Sequence, residues 1–174
     1  MNRHIIIPAI AGDGSLYPVE KMDAHVRGLL HLAVSVFVFD GDRLLIQQRA
    51  AAKYHCGGQW ANTCCSHPHW EESLEDCAER RLEEELGFTL PLTRHQTVEY
   101  EACVGEGLSE HERVTLFSAR VDRNLLQIVP NPEEVDTVRW IAPEDLHREV
   151  ETNPQDFTPW FRIYLQRFPA LKFD

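Results

Sequence analysis

Residues 62–87, NTCCSHPHWEESLEDCAERRLEEELG, constrain the chain more than any other stretch, because they mark both ends of a helix and load the loop before it with reactive side chains. Ser73, followed three positions later by Asp76, has the spacing of a capping box. Leu74, Cys77, Ala78, Leu82 and Leu86 recur at three- and four-residue intervals, and Gly87 supplies a left-handed stop. The spacing predicts a helix over about 73–86. Arg81 and Glu85 lie one turn apart with Glu84 beside them, so a cation and two carboxylates can point at one spot; the same pattern also suits a solvated face laced with ion pairs. The loop ahead holds Cys64, Cys65, His67 and His69, more thiol and imidazole than core packing requires, and this points to chemistry.

At 174 residues the chain reads as a single domain over 1–174. Domains of this size bury roughly 70% of their unfolded surface, so a real core is available. The formal net charge of -11 argues against nucleic acid or an anionic membrane as partner, since phosphates would be repelled over most of the surface. An anionic substrate then needs a local cationic pocket or a metal. Five cysteines, an odd number with two adjacent, do not resemble a disulfide framework, and the run MNRHIIIPAI is too short for a signal peptide. No run approaches the roughly 18 apolar residues of a membrane span. A cytoplasmic protein, monomeric or weakly dimeric, is expected.

Residues 5–10 and 16–19 read as strands around Gly12 and Gly14, and 21–30 as weak helix or loop. The Val- and Phe-rich run 31–39 turns at Asp40-Gly41 into 43–49, the clearest hairpin. Residues 50–63 read as loop. Strands are expected at 97–104, 112–121 and 134–141, then helices over 143–150, opened by Pro143, and 158–168. Hairpins outnumber βαβ units, so the expected fold is an α/β one, a mixed sheet between helices.

Several constellations can carry chemistry. Glu110 and Glu112 lie two apart near a strand start and face one side, with His111 facing away. With His25, His31 and His67 they offer nitrogen and oxygen ligands suited to a borderline divalent ion, although each histidine alone is an ordinary core or surface residue. Cys56, Cys64 and Cys65 with His67 are a poor match to a structural zinc cluster, because the Cys-x-x-Cys spacing is missing. Cys65 can be a reactive thiol or a plain buried cysteine. Lys21, Arg49, Lys53 and Arg81 are scattered cations, and Trp160 is either a core aromatic or a π face for a cation.

Leu82-Glu83-Glu84-Glu85-Leu86-Gly87, with Arg80 and with Glu72 upstream, resembles the end of a Nudix box. Ser66 stands where the box has a glycine, and Arg81 where it has a glutamate used in hydrolysis. Those two departures, with Asn62-Thr63-Cys64-Cys65-Ser66-His67-Pro68, Glu110-His111-Glu112 and Thr158-Pro159-Trp160-Phe161, resemble the type I isopentenyl-diphosphate isomerases, a Nudix branch. The resemblance runs from about residue 21 to 161 and implies a Nudix-like α/β/α fold. It implies a metal (Mn2+, Zn2+ or Mg2+) on His25, His31, His67, Glu110 and Glu112, and an acid-base pair in Cys65 and Glu112. Tyr100 would assist Glu112, and Trp160 would cover a carbocation. Glu85 would hold Mg2+ with the diphosphate of a small isoprenoid substrate, and Lys21, Arg49, Lys53 and Arg81 would line its oxygens. The alternative is a Nudix hydrolase of a nucleoside diphosphate derivative.

Overall fold

A computed structural model describes residues 4–173; residues 1–3 and 174 of the expected single domain lie outside the described residues. The strands are β1 (Ile6–Ile10), β2 (Leu16–Glu20), β3 (His31–Asp40), β4 (Arg43–Arg49), β5 (Trp60–Ala61), β6 (Cys64–Ser66), β7 (Thr93–Gly105), β8 (Leu108–Arg120) and β9 (Val135–Ile141). The helices are α1 (Lys21–Arg27), α2 (Leu74–Leu86), α3 (Pro143–Thr152) and α4 (Pro159–Arg167), with a 310 turn at Pro154–Asp156.

β3 is the hub of one mixed sheet. It runs antiparallel to β1, β4 and β6 and parallel to β8 over nine paired positions, from His31 opposite Glu112 to Phe39 opposite Arg120. Because strand side chains alternate, the run divides cleanly between two faces. Val34, Val36 and Val38 meet Cys77, Ala78, Leu82 and Leu86 of α2 in one core. Ala33 and Phe37 meet Trp160, Phe161, Tyr164 and Leu165 of α4 in the other. The expected mixed sheet between helices is present, and the second face carries two polar exceptions on β3, buried His31 and Ser35.

Local chemistry explains the boundaries. The Ser73 hydroxyl accepts from the Asp76 amide at 3.0 Å and starts α2 at Leu74. The region read as weak helix or loop holds α1, which the Glu20 carboxylate caps by accepting from the Asp23 amide at 3.0 Å. The stretch read as loop contains β5, and β6 follows it; two or three residues of Trp, Ala, Cys and Ser show no alternation, and their pairing comes from β4 and β3. β8 begins earlier than expected because Gly105, Glu106 and Gly107 all take positive φ and close a tight turn, so pairing continues to Gly105 opposite Leu108; β7 also begins earlier, at Thr93 opposite Ser118. Glu110 therefore sits inside β8 rather than at its start.

Gly87 ends α2 at φ 75°, where the segment near Val129 closes over the last turn, the Val129 amide donating to Leu86 O at 2.8 Å. A Cβ at Gly87 would lie 2.8 Å from Val129 O. Gly87→Ala is expected to lower the unfolding free energy by about 1–2 kcal/mol, since a left-handed backbone costs an L-residue that much before any clash. A urea titration with an unchanged midpoint would contradict this role.

Candidate active site

The parallel register places Tyr100 of β7, Glu112 of β8 and His31 of β3 in one cross-strand row. His25 reaches the same point from α1 and His67 from the loop after β6, and all of these side chains are buried. One ligand atom from each of His25, His31, His67 and Glu112 lies within 4.8 Å of the others. His25 Nδ1 and His31 Nδ1 each lie 2.7 Å from a backbone carbonyl, of Lys21 and Leu29 respectively. A carbonyl only accepts, so both Nδ1 atoms carry the proton and both Nε2 lone pairs are left free. Those Nε2 atoms are buried without a hydrogen-bond partner. Two orphaned lone pairs beside an imidazole and a carboxylate are what a divalent cation needs, and the group fits one.

The electrostatics agree. Burial lowers the His25 pKa and brings His67 down to about 3 although Glu112 pulls the other way, so these two imidazoles are neutral, the form that can bind a metal. His67 Nε2 therefore donates an uncharged hydrogen bond to Glu112 at 2.7 Å. Glu110 and Glu112 diverge. Burial and the neighbouring Glu112 push Glu110 well up; burial also pushes Glu112 up, but His67, which donates to it, holds it well down. The single Tyr100 hydroxyl proton lies within reach of both, 3.0 Å from Glu110 and 2.8 Å from Glu112, so a pair sharing one donor is best served when Glu110 keeps a proton of its own.

Glu110 stands one step away from the tight group of four, its other oxygen 2.9 Å from His55 Nε2. His55, buried in the segment between β4 and β5, was not legible from sequence, because nothing in its spacing ties it to Glu110. His111 is turned away, its Nδ1 3.2 Å from Gly28 O, as the strand alternation requires.

A pocket of about 430 Å³, mouth included, opens onto this group and is lined by Cys65, Trp160, Glu85 and the cations Lys21, Arg49, Lys53 and Arg81. The scattered cations thus converge. Lys53 and Arg81 pair with Glu134, a partner sequence reasoning missed, and Arg81 also bridges Glu84 at 2.7 Å and Glu85. Glu85 takes a second bond, 2.8 Å, from buried Gln47. Arg80 grips both oxygens of Glu72 at 2.6 and 2.8 Å, tying α2 to the loop before it. Trp160 is both of the things its sequence allowed: only 2% exposed within the core, it also lines the pocket, with the Arg49 guanidinium 5.2 Å from its ring centre. Cys64 is buried against α2, and among the described residues the group suited to a metal is His25, His31, His67 and Glu112, without a cysteine. Burial raises the Cys65 pKa to about 12, and the group is a thiol.

The NUDIX domain family matches residues 29–161. An isopentenyl-diphosphate Delta-isomerase of Cereibacter sphaeroides is 57% identical over 154 residues, 88% of this chain and 86% of the relative. Another, from Roseobacter denitrificans, is 52% identical over 171 residues, 97% of this chain and 96% of the relative. Among solved structures, a Deinococcus radiodurans protein superposes with TM-score 0.75 at 14% identity, covering 93% of this chain and 98% of its own. A MutT NUDIX hydrolase from Burkholderia pseudomallei gives 0.61 at 24% identity, covering 79% and 96%. At those identities the likeness extends to the fold alone.

Lys21 reports directly on the cationic pocket. Burial, then repulsion from Lys53, Arg81 and Arg49, lowers its pKa from 10.5 to about 8. A bound polyanion favours the charged amine and restores the higher pKa. Inorganic diphosphate should therefore bind with proton uptake between about pH 8 and 10, and its affinity should fall as pH rises through that window. Calorimetry in buffers of different ionisation enthalpy reads the uptake; Lys21→Met should lose it, and uptake equal in both proteins would contradict the account.

Proposed function

The chain belongs to the NUDIX family and, within it, to the type I isopentenyl-diphosphate Delta-isomerases, and from that premise we propose how its residues interconvert isopentenyl and dimethylallyl diphosphate. The observation that carries the reading is that one pocket gathers two unlike sets of side chains. Cys65, Glu112 and Trp160 line it together with the cations Lys21, Arg49, Lys53 and Arg81.

Moving the double bond requires protonation of an unactivated alkene carbon to a tertiary carbocation, and loss of a proton from the neighbouring carbon. Both steps fail in water, which competes for the cation. In the proposed arrangement Cys65 and Glu112 face opposite sides of the hydrocarbon and exchange its protons. Tyr100 O–H holds the Glu112 oxygen that is not bonded to His67. The Trp160 indole faces the charge, worth about 2 kcal/mol where water is excluded. Each tenfold in rate needs about 1.4 kcal/mol, so acid strength and positioning supply most of the acceleration. A divalent ion, Mn2+, Zn2+ or Mg2+, on His25, His31, His67 and Glu112 with Glu110 adjacent would lower the basicity of the Glu112 carboxyl and strengthen it as an acid.

The diphosphate undergoes no reaction. It is the handle by which Lys21, Arg49, Lys53 and Arg81 would fix the hydrocarbon, and Glu85 would hold Mg2+ to neutralise its charge. This is how a chain of net charge -11 accepts an anion. The hydrolase reading is not favoured. Arg81 occupies a position where the hydrolytic box has a glutamate, and its guanidinium engages both Glu84 and Glu85.

With isopentenyl diphosphate the protein should release allylic product and no phosphate, and with ADP-ribose it should do nothing. Cys65→Ala should abolish isomerisation with metal content intact, and Cys64→Ala should cost far less. Equal activities in the two variants would remove Cys65 from the reaction, and hydrolysis of ADP-ribose would favour the alternative.

A further inference from the structure

Cys65 is held by a chain of hydrogen bonds that runs out of the pocket into the core beneath α4, and every proton in it has a determined direction. Asn62 Nδ2 donates to two carbonyls, Val36 O at 3.1 Å and Cys64 O at 3.2 Å, so the amide cannot be flipped and its Oδ1 faces Cys65. Oδ1 only accepts, hence the Cys65 S–H donates to it at 2.9 Å. With the thiol proton committed, the 3.2 Å contact between Ser35 Oγ and Cys65 Sγ must be donated by Ser35. With the Ser35 proton committed, the 2.8 Å contact between Tyr164 and Ser35 must be donated by Tyr164. The order is Tyr164 to Ser35 to Cys65 to Asn62.

Register and packing hold this chain in place. Ser35 lies directly opposite Cys65 in the pairing of β3 with β6. Tyr164, on α4, is fully buried, with its ring edge-on to Phe37 and to Tyr100 at centroid distances of 5.7 and 6.0 Å. A hydroxyl at this depth is costly unless it is bonded, and Ser35 is the partner it meets.

We propose that Tyr164 and Ser35 are positioning residues for the reaction at Cys65, with Tyr164 acting through Ser35. The inference rests on the reading that Cys65 exchanges a proton with the substrate. Whichever way that proton moves, the sulfur passes between S–H and S−. The Asn62 oxygen can serve only the first form, whereas the Ser35 O–H, already polarised by Tyr164, serves both and serves the thiolate better. The pair thus fixes the sulfur when its proton swings from Asn62 toward the pocket, and it stabilises the charge that appears.

Tyr164→Phe deletes one oxygen and keeps the ring. It should lower kcat several-fold with KM unchanged, less than the roughly tenfold that one hydrogen bond to an ionised group is worth, because Ser35 still donates to the sulfur. Without substrate, alkylation of Cys65 by iodoacetamide, followed by peptide mass spectrometry, should slow by a similar factor. Ser35→Ala should reproduce both losses, and the double variant should be no worse than Ser35→Ala, because Tyr164 has no other route to the sulfur. Wild-type kcat and alkylation in Tyr164→Phe, or losses that add in the double variant, would overturn the proposal. If Tyr164→Phe fails to fold, Ser35→Ala and Ser35→Thr decide: loss in the first with recovery of alkylation in the second supports the chain, and equal behaviour of the two refutes it. Alkylation needs no turnover, so failure of the isomerase reading would appear separately, as a wild-type protein that alkylates normally and forms no allylic product.

Discussion

The pairing of His31 with Glu112 across the parallel strands β3 and β8 is the contact on which the site depends. A slip of one residue would turn every side chain of the strand to the opposite face, so a single register sends the imidazole and the carboxylate to one buried group and the valines of β3 toward α2. The apolar core on one face of the sheet therefore holds the polar group on the other. Burial in that group has two consequences: it leaves the His25 and His67 imidazoles uncharged, the form that can bind a metal, and it magnifies the interaction between Glu110 and Glu112 until they no longer behave alike.

The pocket beside that group also concentrates positive charge. Lys21, Arg49, Lys53 and Arg81 crowd together, with Glu134 and Glu85 offsetting part of their repulsion. An anion that enters relieves what remains. Cys65 and Trp160 line the same pocket, the thiol in contact with Ser35 Oγ at 3.2 Å and the indole with the Arg49 guanidinium 5.2 Å from its ring centre.

Much of this was legible in the chain because it is local. Ser73, Asp76 and Gly87 write α2 within fifteen positions, and Glu110 and Glu112 announce a shared face by alternation alone. The ligand set and the role of Cys65 were not derivable from spacing and came from resemblance. What stayed hidden was non-local: Tyr164 and Ser35 are 129 positions apart, and His55 and Glu110 are 55 apart. Neither pair leaves a periodic trace. β5 and β6 were missed for the same reason, since strands of two and three residues owe their existence to β3 and β4. Glu134 is likewise joined to Lys53 and Arg81 only by the fold.

Anomalous diffraction from a crystal of the protein grown with Mn2+ tests the central claim most directly. The account predicts one strong peak enclosed by His25, His31, His67 and Glu112, with both Nδ1 atoms of His25 and His31 still bonded to their backbone carbonyls. A protein with manganese only beside Glu84 and Glu85, and those two imidazoles turned away from Glu112, would contradict it.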